Sequence, residues 1–131
     1  MPPLRTITQA VVFKAAPEDV YTALMDSEKH SSFTDSPATI SPKVDGTISA
    51  YDGHITGSNV KLVPGKTIIQ RWRADEWPSK HYSTLTIGLK KVGTKTELSF
   101  TQTGVPAEFY SDIAAGWKKY YWTPMKEKFG W

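Results

Sequence analysis

The C-terminal stretch of this chain limits its fold more than any other part. Between about Ala107 and Phe129 the residues Ile113, Trp117, Tyr121, Met125 and Phe129 recur at every fourth position. That spacing places them along one side of an α-helix as a single aromatic-rich ridge. A ridge of large rings must be covered by something. Pro124 interrupts the pattern: it has no N–H to bond the Tyr120 carbonyl, so a kink is expected there, in a helix that continues.

The cover has to come from upstream, where the patterning is mostly that of strands. Thr6 to Lys14 alternates and is β-branched, with Ile7, Val11 and Phe13 on one face. Pro17 then opens a short helix, and Glu18 and Asp19 complement its dipole. Val20, Tyr21, Leu24 and Met25 form its apolar stripe, and it ends near Asp26. Ser27 is the expected cap of a second short helix running to about Phe33. After Pro37 come the turn signals Asp45-Gly46, Asp52-Gly53 and Pro64-Gly65. They separate strand-like runs at Thr47–Tyr51, His54–Val63 and Lys66–Ala74. A further pair, His81–Val92 and Thr96–Gly104, turns about Gly93, with Leu85, Ile87 and Leu89 sharing one face and Leu98 and Phe100 another.

The order is therefore one strand, two short helices, a run of about six antiparallel strands and one long helix. The simplest burial curls the sheet around that helix. The predicted class is α+β, a helix-grip or START-like fold: a curved antiparallel sheet wrapped around a long C-terminal helix, with two short helices after the first strand. Folds of this kind often leave a cavity between sheet and helix.

At 131 residues the chain fits one domain, 1–131, large enough to bury a core without staples. It has no Cys, which excludes disulfides, thiol catalysis and thiolate metal sites and fits a reducing, cytoplasmic setting. The start, Met1-Pro2-Pro3-Leu4-Arg5, has no apolar core of a signal peptide, and no run approaches the length of a membrane helix. Net charge is +3, with 16 Lys+Arg against 13 Asp+Glu and no basic stripe, so neither nucleic acid nor membrane is expected as a partner. Lys118, Lys119, Lys126 and Lys128 fit the wet side and C-terminal end of a helix, where cations offset the macrodipole.

Little here points to catalysis. His30, His54 and His81 share no metal-ligand spacing and are expected at the surface, with no paired carboxylate beside them. No nucleophile elbow or phosphate-binding glycine loop is present. Asp75-Glu76 is an adjacent pair, which on a strand would point to opposite faces, and reads as a loop charge pair. The expectation is no enzyme, no metal and no cofactor.

The rings and amides are more informative. Five Trp, six Tyr and five Phe make 12% of the chain, and rings facing a helix either fill a core or line an apolar cavity. Three amides fall on inward faces: Gln70 beside Ile68 and Trp72, Gln102 beside Leu98 and Phe100, Gln9 beside Ile7 and Val11. A buried amide must pair, hold water or meet a ligand, unless the register slips by one residue. The candidate cavity lining is then Gln9, Gln70 and Gln102 with Phe33, Trp72 and Leu85, completed by Phe100, Trp117 and Tyr121.

Several short motifs resemble one family. They are Phe33-Thr34-Asp35-Ser36-Pro37-Ala38, Asp52-Gly53 with Gly57, Leu62-Val63-Pro64, and Gln70-Arg71-Trp72-Arg73 followed by Trp77-Pro78. Thr96-Glu97-Leu98, Gly104-Val105-Pro106, Gly116-Trp117 with Tyr120-Tyr121, and Phe129-Gly130 continue the series to the end. In this order and spacing they resemble the activator of heat-shock protein 90 ATPase family. The resemblance implies its C-terminal-type domain, which in the family contacts the N-terminal domains of the closed chaperone dimer. The family's additional N-terminal domain, which supplies much of the stimulation, has no room here. The implied partner is heat-shock protein 90, through the Phe33, Thr34 and Asp35 loop, the Arg73, Trp77 and Lys80 loop, and the Lys118, Lys119 and Lys126 face. The alternative is a carrier or sensor of a small apolar ligand in the cavity.

Overall fold

The computed structural model describes residues 3–131; Met1 and Pro2, the start of the stretch read above for a leader, lie outside the described residues. Seven strands form one antiparallel sheet: β1 (Leu4–Phe13), β2 (Thr39–Ile40), β3 (Thr47–Ala50), β4 (Ile55–Val63), β5 (Thr67–Ala74), β6 (Ser83–Val92) and β7 (Lys95–Pro106). Their order across the sheet is β1-β7-β6-β5-β4-β3-β2. It is a meander whose last strand returns beside its first. The helices α1 (Pro17–Met25) and α2 (Ser27–Thr34) bridge β1 to β2. After a 3₁₀ turn at Ala107–Phe109, α3 (Tyr110–Trp117) and α4 (Thr123–Phe129) form the C-terminal helix, joined by a π turn at Lys118–Trp122.

The hairpins fall at the expected turns. Gly93, with φ of +63°, sits in the tightest, where Val92 pairs with Lys95. At Gly57 the constraint is contact: a Cβ there would collide with the Arg71 carbonyl oxygen of the paired strand. Bulges at Thr103–Gly104 of β7, opposite Thr6, and at Val60 of β4 shift the register of β7 on β1 and of β4 on β5, and such irregularities bend a sheet. The result is the expected curved sheet with a long helix in its grip.

Two local expectations are corrected. Asp26, not Ser27, caps α2, accepting from the Lys29 N–H at 2.9 Å. Ser27 instead accepts from the Ile40 N–H at 2.9 Å and ties α2 to β2, a two-residue strand too short for periodicity to reveal. The interruption expected at Pro124 falls in the preceding turn, where the Thr123 N–H reaches back to the Lys118 carbonyl. The Tyr120 carbonyl that Pro124 cannot bond accepts from the Tyr51 hydroxyl at 3.2 Å. A π turn adds one residue per turn and rotates the phase. Trp122 therefore joins Tyr121 in the interior, although a strict four-residue ridge leaves it out.

Trp117 is the centre of the core. Its ring lies 4.6 Å from Phe100, 4.5 Å from Tyr121 and 5.5 Å from Trp122. Its indole N–H donates to Gln102 Oε1 at 2.8 Å. Trp117→Ala is expected to lower unfolding free energy by ~3–5 kcal/mol. Trp117→Phe keeps the ring but orphans the Gln102 oxygen, a loss of about 1–3 kcal/mol. Chemical denaturation of both variants checks the order; equal stability of wild type and Trp117→Ala would remove Trp117 from the core.

Candidate functional site

Beneath the C-terminal helix the interior is filled. The void between helix and sheet is about 30 Å³, room for a single water, where Met25, His30 and Gln70 face Trp72, Trp117 and Tyr121. Leu85 and Phe100 are core residues, and Phe33 packs edge-on against Tyr121 and Phe129. The cavity expected there is occupied by the helix's own rings.

The three amides find protein partners. Gln102 accepts from the Trp117 indole and donates to Ser83 Oγ at 2.8 Å. Gln9 accepts from the Trp122 indole at 2.7 Å and donates to the Ala114 carbonyl at 2.8 Å. Gln70 donates to Asn59 Oδ1 at 3.0 Å. The strand registers read from sequence were right, and the amides are bonded into the structure.

His30 corrects the expectation that the histidines lie at the surface. It is only 4% exposed, beside Phe33 and Tyr121 at 5.0 and 5.2 Å, and its Nδ1 has no hydrogen-bond partner. Burial among rings disfavours the charged form and pushes its pKa down to about 4.

The open space lies elsewhere. A groove of about 410 Å³ runs between the first half of the helix and the β3–β4 turn. Ile113, Gly116, Trp117, Tyr120 and Tyr121 form the helix side. Tyr51, Ile55 and Trp72 form the sheet side, and His54, Glu76 and Asp112 add the polar groups. Of the residues expected to line a cavity, this groove gathers Trp72, Trp117 and Tyr121. Gly116 helps keep it open: a Cβ there would already touch the Tyr120 ring, at 3.6 Å. Tyr51 adopts a left-handed backbone, φ +51°, and crosses the groove to bond the Tyr120 carbonyl. Burial, and then its neighbour Tyr120, push its hydroxyl up to about 12, so it stays a neutral donor.

At the groove's edge His54 corrects the expectation that no carboxylate pair accompanies a histidine. Its Nδ1 lies 2.7 Å from Asp75 and its Nε2 3.2 Å from Glu76. Asp75 and Glu76 follow β5 in a turn rather than a strand, so both can reach one ring. The three ligand atoms lie within 4.8 Å of one another, but the side chains face water and already engage each other. The cluster is a solvated, mutually bonded group at the surface.

The residues read as a partner surface divide. Asp35, Lys80, Lys118, Lys119 and Lys126 are exposed and Thr34 is half-buried. Phe33 and Trp77 are not surface residues: Trp77 is 3% exposed and packs on Trp72 at 5.3 Å. Arg73 organises its own loop, donating to the carbonyls of Trp77, Pro78 and His81. A long polar loop with one inward Trp looks the same in sequence as one with an outward Trp.

A family model described as "Activator of Hsp90 ATPase homolog 1-like protein" matches residues 14–130. The human protein named "Activator of 90 kDa heat shock protein ATPase homolog 1" is 33% identical over 129 residues, covering 98% of this chain and 38% of that protein. The chain thus spans a little over a third of the length of such curated relatives. A crystal structure of an HSP90 activator from Plasmodium falciparum superposes with a TM-score of 0.91 at 22% identity, covering 95% of this chain and 96% of that one. The solution structure of the "Aha1 dimer" from Colwellia psychrerythraea gives 0.80 at 20% identity, with 93% and 94% covered. At these identities the structures establish the fold.

The buried histidine makes stability pH-dependent. Unfolded, it takes a proton near its ordinary 6.5; folded, it does so only near 4. Its contribution is complete above 6.5 and is lost as pH falls through that window, by about 3 kcal/mol in all. Chemical denaturation at pH 7 and pH 4.5 should show His30→Leu losing less stability than wild type on acidification. Parallel losses in the two proteins would place the acid sensitivity elsewhere.

Proposed function

This chain belongs to the Activator of Hsp90 ATPase homolog 1-like family, and on that premise we propose that it is a co-chaperone-like domain that binds heat-shock protein 90 and modulates its ATPase cycle. The observation that carries the reading is the family match across residues 14–130, almost all of the helix-grip unit. The domain acts by preferring the nucleotide-closed state of the chaperone, so that binding shifts that equilibrium. It donates no catalytic group and is not itself an enzyme. Among the described residues no helix is long and apolar enough to cross a membrane, and the proposed site of action is the cytoplasm.

The exposed cations Lys118, Lys119 and Lys126, with Lys80 on the Arg73 loop, are the proposed contact residues toward an acidic surface of the chaperone. Phe33, Trp77 and Arg73 contribute by holding the loops in shape. One domain offers a patch of about 800 Å² or less, which suits micromolar affinity. A second reading, a carrier or sensor of a small ligand, is favoured by the 410 Å³ groove, a volume within the small-molecule range.

Titration calorimetry against the chaperone held closed by a non-hydrolysable ATP analogue decides between them. The expected result is micromolar binding that weakens with added salt. The pair Lys118→Glu and Lys119→Glu should weaken it about tenfold with no change in melting temperature. No heat and no ATPase change at high domain concentration and low salt would sink the co-chaperone reading.

A further inference from the structure

The groove is aromatic, and its charged groups are mostly of one sign. Five rings line it, those of Tyr51, Trp72, Trp117, Tyr120 and Tyr121. Glu76 and Asp112 are its carboxylates, and no Lys or Arg lines it. Its one basic group, His54, is already held between Asp75 and Glu76. A chain of net charge +3 thus keeps a locally acidic recess. The Lys119 ammonium sits 5.2 Å from the centre of the Tyr120 ring, though Lys119 is not among the lining groups.

Ring faces carry negative electrostatic potential and attract cations, more strongly where water is excluded. Carboxylates at the rim add a Coulomb attraction. Neutral apolar molecules gain from the rings alone, and anions are repelled by the rim. We propose that this groove is a binding site for a small organic cation: an ammonium group carried on an aromatic or short apolar body. The ammonium lies near Glu76 and Asp112, and the body lies against Trp72, Trp117 and Ile113. This refines the small-ligand reading by naming the ligand's charge. It is independent of chaperone binding, which calorimetry with the chaperone tests separately.

The site can be probed on the whole chain with three compounds of similar shape: benzyltrimethylammonium, its neutral carbon isostere neopentylbenzene, and benzenesulfonate. Indole fluorescence gives the affinity, and amide and indole chemical shifts locate the site. The expected order has the cation binding about tenfold more tightly than the isostere, with benzenesulfonate not binding. Shifts should concentrate at Tyr51, Ile113, Gly116 and Tyr120. Glu76→Gln with Asp112→Asn should reduce cation binding several-fold, leave isostere binding unchanged and preserve the melting temperature. Gly116→Leu, on the helix side of the groove, should abolish binding of both, with circular dichroism confirming that the helix remains. Equal affinity for cation and isostere would overturn the proposal, as would shifts centred away from the groove or no binding by any probe.

Discussion

Two indole-to-amide hydrogen bonds hold the C-terminal helix in its one position on the sheet. Trp117 donates to Gln102 on β7 and Trp122 donates to Gln9 on β1. Each indole buries a large apolar area, which drives the helix onto the sheet but says little about how it should sit. The N–H groups supply the direction, because a buried donor without a partner costs about 1–3 kcal/mol. Sliding the helix by one residue would break both bonds and orphan two amides. Gln9 closes the lock by also donating to Ala114 on the same helix. The π turn is what allows both indoles to point inward, since at 3.6 residues per turn two residues five apart diverge by ~140°, and the wider turn brings them back toward one face. Pro124, the strongest helix breaker by residue type in this stretch, thus sits beside the feature that makes the docking possible.

The remaining architecture follows from that docking. With Trp117, Tyr121 and Trp122 against Phe100 and Phe13, the space under the helix is filled and little more than a water's volume remains. The chain ends are drawn in as well: the Trp131 carbonyl accepts from the Lys14 N–H, and the Pro3 carbonyl accepts from Ala107. The open volume is displaced to where the helix has its smallest residue, Gly116, and where the β3–β4 turn stands off on Tyr51. A fold that often holds an internal cavity here has a packed interior and a lateral groove.

Much of this was legible from residue order. Alternation exposed the inward faces of β5, β6 and β7, and these are local properties with a period of two. The ridge from Ile113 to Phe129 fixed the last helix for the same reason, a period near four. The family resemblance rested on motifs such as Gln70-Arg71-Trp72-Arg73 and Gly116-Trp117, which needed no coordinates. Even the three inward amides could be found, because pattern alone says which side of a strand a residue takes.

Sequence by itself therefore determined most of the elements, their order, the faces they bury and the family, but neither the two-residue β2 nor the π turn. It could not say what meets across the core, because partners such as Gln9 and Trp122 are 113 positions apart and their pairing depends on the register of two elements at once. His30 and Trp77 are polar-tipped residues in short polar segments, where no periodicity marks an inward face; only packing decided that both are buried. His54, Asp75 and Glu76 come together because β4 begins beside the end of β5. The groove, its rings and its acidic rim exist only in three dimensions, since they are made by residues from three separate segments brought within reach by one docked helix.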